Sequence, residues 1–146
     1  MSYCEVEDVQ KEFKSIAFDE TNSAVVTDSV QEFIDQASAE MDAKLSVRYI
    51  VPVTASDSAL LYLKQICIWL VSQRVKDICE IKNVRVESDQ DVKVDTAARA
   101  RKMLNEIVQG DVPLIGATET SSASGVQSFV SSSGFQRTWR RGEDQW

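Results

Sequence analysis

The chain of 146 residues is long enough for one hydrophobic core and an appendage, but it leaves no room for a second domain of ordinary size. Its formal net charge of −7 disfavours a protein that wraps DNA, because binding phosphates requires clustered lysine and arginine. The sequence contains no histidine, the commonest general base and metal ligand, which argues against most hydrolytic triads.

Two helices are predicted in the first third of the chain. The first runs from Glu5 to about Ser15, and the second is capped by Asp28 or Ser29 and ends near Tyr49, ahead of Pro52. In the second helix apolar residues recur at helical spacing, at Val30, Phe33, Ile34, Ala37, Met41 and Leu45. The opposite face is acidic and carries Glu32, Asp35 and Asp42.

A third helix is predicted from a cap at Ser56 or Asp57 to about Ile81. Its core stripe comprises Leu60, Leu63, Cys67, Leu70, Val71, Val75 and Ile78. Further apolar residues, including Leu61 and Trp69, extend around most of its circumference, so the helix must be covered on more than one side. Either the other helices or a neighbouring subunit can provide that cover.

A fourth helix is predicted from Thr96 to Gln109, with Gly110 placed to end it. Before it, apolar and charged residues alternate from Asn83 to Asp95, which fits either a short β-hairpin or a solvated loop. The predicted fold class is therefore all-α: a small bundle of about four helices, with a possible short β-hairpin near 83–95 and an extended C-terminal arm.

The chain divides into a helical body, residues 1–113, and a C-terminal part, residues 114–146, in which a tether rich in serine and glycine leads to an aromatic and arginine-rich arm. Aromatic and arginine side chains on a flexible arm favour contact with a partner, since such residues anchor protein interfaces. The alternatives are that they fold back onto the body or form a disordered end. The candidate contact residues are Phe129, Phe135, Arg137, Trp139, Arg140, Arg141 and Trp146.

No catalytic, cofactor or metal-binding motif is present in the sequence, so we expect neither an enzyme nor a cofactor. Cys67 and Cys79 are about 18 Å apart along one predicted helix and cannot pair with each other. We expect all three cysteines to be reduced residues in or near the core. The N-terminus lacks the pattern of a signal peptide, and no stretch predicts a membrane span.

Three segments resemble a known family in their order and spacing. They are Tyr3-Cys4 followed by Val9 and Phe13, then AEMDAKLSVRYIVPV (39–53), and then LKQICIWLVSQRV (63–75). Together these segments are similar to small helical head–tail connector proteins of tailed bacteriophages, also called adaptor or head-completion proteins. The resemblance covers roughly Tyr3 to Ile107.

The resemblance implies a subunit of a ring, commonly of twelve copies, in the neck of the virion, after synthesis in the host cytoplasm. The ring docks beneath the portal protein, receives the next neck or tail protein and leaves a channel through which DNA passes without specific binding. In such families a C-terminal extension typically reaches the portal, so the arm is expected to bind the portal or a neighbouring subunit.

Two groups of residues in the body then have two interpretations each, one structural and one functional. Glu32, Asp35 and Asp42 are either a solvated helix face or a channel lining that repels DNA phosphates. Arg48, Trp69 and Arg74 serve either the subunit's own packing or a contact between subunits. Two rival functions remain: a tail-terminator or stopper protein of the same neck, and a small helical cellular adaptor that binds one protein.

Overall fold

A computed structural model describes residues 2–19, 25–82 and 95–120. In these ranges the chain forms four helices: α1 (Val6–Glu12), α2 (Thr27–Leu45), α3 (Asp57–Ile81) and α4 (Thr96–Gln109). The described residues form no strand, and one isolated antiparallel bridge joins Tyr49 to Glu119. The prediction of an all-α bundle of four helices is confirmed. The possible hairpin near 83–95 lies, apart from Asp95, outside the described residues.

Local signals account for both ends of α4 and the start of α3. The Ser56 hydroxyl accepts a hydrogen bond from the backbone N–H of Ala59, and the Asp95 carboxylate accepts one from that of Ala98 at 2.9 Å. Each side chain satisfies a backbone donor that the first helical turn leaves unpaired. At the other end of α4, Gly110 has a φ of 92°, a left-handed conformation that terminates the helix.

The predicted bounds of α1 and α2 are wrong in three places. α1 ends at Glu12 rather than near Ser15, because the Gln10 side-chain amide donates to the carbonyls of Phe13 and Ile16 and supports a loop there. α2 starts at Thr27, after Val26, which has no capping side chain, so neither Asp28 nor Ser29 is the cap. α2 also stops at Leu45, four residues before the predicted end.

The early end of α2 follows from a long-range contact. Residues 46–48 form a turn, and Tyr49 leaves the helix to bridge Glu119. The ring of Tyr49 is buried, and its hydroxyl accepts a hydrogen bond from the backbone N–H of Leu114 at 3.3 Å. The Val51–Pro52 peptide that follows is cis. A helical continuation through residue 49 would forfeit these interactions.

Helix α3 is central and packs against α1, α2 and α4 of the same chain. The predicted stripe is buried at Leu63, Cys67, Leu70, Val71 and Val75 and half-buried at Leu60 and Ile78. Ile66 and Ile68, which fall outside the stripe, are also buried. The other three helices of the same chain therefore cover most of the apolar surface of α3, which is the first of the two predicted possibilities.

Residues 111–120 return along the connection between α2 and α3. The backbone N–H groups of Ile50 and Ser56 donate to the carbonyls of Thr118 and Ile115, each at 2.9 Å. The N–H of Thr120 donates to the carbonyl of Arg48 at 2.8 Å, and Leu114 is buried. Residues 114–120, assigned from sequence to the tether, thus contact the body. The division of the chain into body and arm stays a prediction, because residues 121–146 lie outside the described ranges.

Candidate functional site

Four large hydrophobic side chains are exposed around the connection between α2 and α3. Val47, Ile50, Leu61 and Ile115 are 54–69% exposed, and we call them the connection surface. Val47 and Ile50 follow α2, Leu61 is in the first turns of α3, and Ile115 is in the segment hydrogen-bonded to the connection. Apolar side chains gathered in one region mark an interaction surface more often than single ones do.

An open, mainly apolar pocket of about 400 Å³ adjoins this surface at Leu61. The pocket is lined by Ser2, Tyr3, Val53, Asp57, Leu60, Leu61 and Lys64. A smaller pocket of about 170 Å³, lined in part by Tyr62, Pro113 and Ile115, also borders the start of α3. The volume of the larger pocket is within the roughly 300–1,000 Å³ usual for binding pockets. The pocket is therefore suited to large apolar side chains of a partner.

Arg48 holds the connection together from within the chain. Its Nε and Nη2 atoms lie 3.0 and 2.9 Å from the Glu119 carboxylate, and its guanidinium lies 5.9 Å from the Tyr49 ring centroid. The hydrogen bond that Arg48 donates to Glu119 raises the pKa of Arg48 above its ordinary value, so the side chain is charged at any physiological pH. A β-carbon at Gly110 would overlap the guanidinium, which places Arg48 against the end of α4. Its contact with another subunit stays a prediction.

Glu40 on α2 bridges the two other long helices. Its carboxylate lies 2.9 Å from Nε of Arg101 on α4 and 3.9 Å from Nη2 of Arg74 on α3. Arg74 also donates a short hydrogen bond to Gln36. The hydrogen bond from Arg101 lowers the pKa of Glu40, an effect larger than the opposing one of burial. Arg74 is therefore engaged within its own chain, and its contact between subunits stays a prediction.

We expect Glu40→Gln to lower the free energy of unfolding by about 1 kcal/mol at pH 7, because the partly exposed bridge loses its charge. The pKa of Glu40 is depressed in the folded state, so its contribution is present above the unfolded pKa of about 4.3 and is lost as the pH falls through the folded pKa. Urea unfolding at pH 7 and near pH 3 measures both effects. Glu80→Gln, an exposed change on α3, is the control, and an equal loss in both variants would contradict the bridge.

Trp69 is half-buried and faces the start of α4. The Arg99 guanidinium lies 4.9 Å from the Trp69 ring centroid, within cation–π range. The Thr96 hydroxyl donates to the backbone carbonyl of Trp69 at 3.3 Å or to the side chain of Gln73 at 3.2 Å. Trp69 thus takes part in the packing of α3 on α4. Its contact between subunits stays a prediction.

The acidic side of α2 contains two kinds of carboxylate. Glu32 and Asp35 are exposed, and Asp35 accepts a hydrogen bond from Gln31 at 3.1 Å. Asp42 is half-buried and accepts a hydrogen bond from the Tyr3 hydroxyl. Replacement of Asp42 would disturb the N-terminal segment as well as change the surface charge. Replacement of Glu32 and Asp35 therefore tests the channel hypothesis without that second effect. The channel role of all three residues stays a prediction.

The N-terminal segment forms a buried polar cluster that the sequence did not reveal. The backbone N–H of Tyr3 donates to the Ser38 hydroxyl at 3.2 Å, and the Cys4 thiol donates to the Cys67 sulfur at 3.1 Å. Burial and the hydrogen bond to Asp42 both raise the pKa of Tyr3, which keeps its hydroxyl a donor. The sequence contains no local pattern that pairs residues 63 positions apart. Helical periodicity placed Cys67 on the buried stripe of α3, which indicated only that its sulfur is in the core.

The predicted contact residues of the arm, from Phe129 to Trp146, lie outside the described residues. Across residues 2–19, 25–82 and 95–120, no group of three or more acidic or cysteine side chains is arranged to hold a metal ion. None of the helices in those ranges combines the length and apolar character needed to cross a membrane.

The fold and surface define a small helical protein with solvent-exposed apolar side chains beside its C-terminal segment. The family model described as bacteriophage Mu, Gp36 matches residues 3–131, so the chain belongs to that family and is a phage protein. The membership indicates a structural or assembly protein of the phage. Comparison with curated proteins gave no match. The family match includes Phe129 but ends before the tip at residues 135–146.

Proposed function

We propose that this protein is a head–tail connector subunit, an adaptor whose copies close a ring beneath the portal and leave a channel for DNA. The observation that carries the proposal is the connection surface at the start of the C-terminal arm. Membership of a bacteriophage family and the resemblance of residues 3–107 to connector proteins support the class. The function is non-enzymatic and depends on geometry.

The connection surface suits contact between copies. Leu61 and Ile115 are 65% and 69% exposed in the single chain, and each borders a pocket. Interfaces place apolar side chains in such pockets and surround them with polar residues, a part that Asp57 and Lys64 can take here. A neighbouring copy would remove these side chains from water, which favours assembly by about 25 cal/mol per Å² of apolar area.

The arm supplies the second element of the proposal. It starts at Thr120, held against Arg48 beside the connection surface. The fourteen residues 121–134 can span at most about 50 Å when fully extended, so the tip can reach beyond its own subunit. Arg137, Arg140 and Arg141 would pair with acidic groups on the portal, and the aromatic side chains would fill apolar pockets. Many copies binding at once would make individually weak contacts durable.

The channel is the third element. A ring that turns the exposed carboxylates Glu32 and Asp35 inward would repel DNA phosphates and allow DNA to pass without being held. Asp42 would add to this field from its half-buried position. The net charge of −7 favours the same behaviour.

Electron microscopy of the full-length protein mixed with its portal tests the proposal. We expect rings docked on the portal, and loss of docking when residues 135–146 are deleted. A matched control replaces Ser131, Ser132 and Ser133 by alanine, which alters the tether and leaves the tip intact. Circular dichroism checks that the helical body is unchanged in both variants.

A second pair of variants separates ring closure from arm attachment. Leu61→Asp with Ile115→Asp should prevent ring formation while leaving a folded monomer, because both side chains are already exposed. Glu80→Lys, another exposed charge change, is the control and should still form rings. A protein that stays monomeric and binds portal in neither the wild-type nor the control form would contradict the proposal that it is a connector.

A further inference from the structure

The sulfur atoms of Cys4 and Cys67 lie 3.1 Å apart inside the body. Cys4 lies two residues before the start of α1, and Cys67 is in the middle of α3, 63 positions later in the chain. A disulfide requires the sulfurs to approach to about 2.05 Å, a further movement of about 1 Å. We propose that Cys4 and Cys67 form a disulfide when the protein is exposed to a small-molecule disulfide oxidant. We call this bond the clasp.

The environment assigns the two sulfurs different parts. Cys67 accepts the hydrogen bond from the Cys4 thiol, and the Ser38 hydroxyl lies 4.0 Å from its sulfur. The hydrogen bond from Cys4 lowers the pKa of Cys67 despite its burial, while the same bond and burial raise the pKa of Cys4. In the closed, reduced protein Cys67 is therefore the sulfur that ionises more readily.

Both sulfurs are buried, so the oxidant reacts when the N-terminal segment opens. Residues 2–5 are held to α2 by Tyr3, through the Ser38 hydroxyl and the Asp42 carboxylate. In the open state the Cys4 thiolate attacks the oxidant, forms a mixed disulfide and releases one small thiol. On closing, the Cys67 thiolate attacks the Cys4 sulfur and releases the second small thiol. Two protein thiols are oxidised, and one small disulfide is reduced to two thiols.

Cys79 is the internal reference for this chemistry. It is also buried and also in α3, but it has no sulfur partner within the described residues. Burial raises its pKa, as expected for an inert core thiol. Proximity rather than burial therefore distinguishes the pair, and Cys79 should remain a thiol under the conditions that oxidise Cys4 and Cys67.

The clasp would act on the larger pocket. Ser2 and Tyr3, next to Cys4, are part of the wall of that pocket, and Lys64 on α3 also lines it. A bond from Cys4 to Cys67 would hold this wall against α3. In a phage the subunit would assemble in the reducing bacterial cell and close the clasp after release, a consequence that rests on the proposed function. The disulfide itself does not depend on that function.

The test treats the full-length protein with oxidised glutathione at pH 8 and analyses it by mass spectrometry. We expect a monomer two hydrogen atoms lighter, with one free thiol instead of three and a non-reduced peptide joining Cys4 to Cys67. The closed loop should raise the melting temperature by about 10 °C, and dithiothreitol should reverse the change. Cys79→Ser should behave as wild type, whereas Cys4→Ser and Cys67→Ser should show no intramolecular bond.

Three results would overturn the proposal: three free thiols after oxidation, a stable glutathione adduct without closure, or a bond that includes Cys79. A crosslinked protein with the melting temperature of the reduced one would refute the clasp. These outcomes are measured on the wild-type monomer, so they do not depend on whether a cysteine variant folds. They are also independent of ring formation and portal binding, which are measured separately.

Discussion

Replacement of Leu63 by alanine is expected to lower the free energy of unfolding by about 2–5 kcal/mol, the usual range for a buried leucine. Leu63 is fully buried in α3, the helix that packs against the other three. Its shortened side chain would leave a cavity that α1, α2 and α4 cannot all move to fill. The loss therefore comprises both the apolar transfer free energy and the unfilled space.

Leu61→Ala is the matched control, since it makes the same change two positions away on the same helix. Leu61 is 65% exposed, so the free energy of unfolding should change by no more than about 0.5 kcal/mol. Urea unfolding followed by circular dichroism measures both variants. Equal losses would show that α3 is oriented differently in the bundle. The control also bears on function, because we expect Leu61→Ala to weaken ring formation without weakening the fold.

Gly110→Ala is expected to lower the free energy of unfolding by at least about 1–2 kcal/mol. The left-handed φ of 92° at this position costs a residue with a β-carbon about 1–2 kcal/mol. The new β-carbon would also displace the Arg48 guanidinium, which lies against Gly110. Its partly exposed ion pair with Glu119 would then be lost, which adds a smaller cost.

A double-mutant cycle separates these two effects. In an Arg48→Ala background, Gly110→Ala should cost only the backbone strain of about 1–2 kcal/mol. Thermal or urea unfolding of the four proteins gives the coupling free energy, which we expect to be destabilising and smaller than the cost of the backbone strain. Strictly additive losses would show that Arg48 does not pack on the end of α4. Arg48→Lys is a further control, because lysine keeps the charge but lacks the planar fork.

The contacts that stabilise the fold and the surface proposed for assembly meet at the connection between α2 and α3. Arg48 links the end of α2 to α4 and to Glu119, one residue before the described chain ends at Thr120. The exposed side chains of Ile50 and Ile115 lie in the two segments that these contacts join. A ring interface at this surface would therefore be coupled to the position from which the arm departs.

Features whose signals are local can be predicted from the amino-acid sequence. The start of α3 follows from the Ser56 cap, and α4 follows from its apolar spacing and Gly110. The buried residues of α2 and α3 follow from helical periodicity, because the side of a helix that faces the core repeats every 3.6 residues. The same local composition indicates an arm beyond residue 120, whose residues lie outside the described ranges.

Features that join distant parts of the chain depend on how the helices pack in the folded protein. α2 stops at Leu45 because the Tyr49 hydroxyl accepts a hydrogen bond from Leu114 and Tyr49 forms a β-bridge with Glu119. The same contacts attach residues 114–120 to the body. Glu40 meets Arg74 and Arg101, and Cys4 meets Cys67, through helix packing alone. No periodicity or cap encodes such pairings, because each depends on which helix faces which. Their energies are realised only after the bundle has formed.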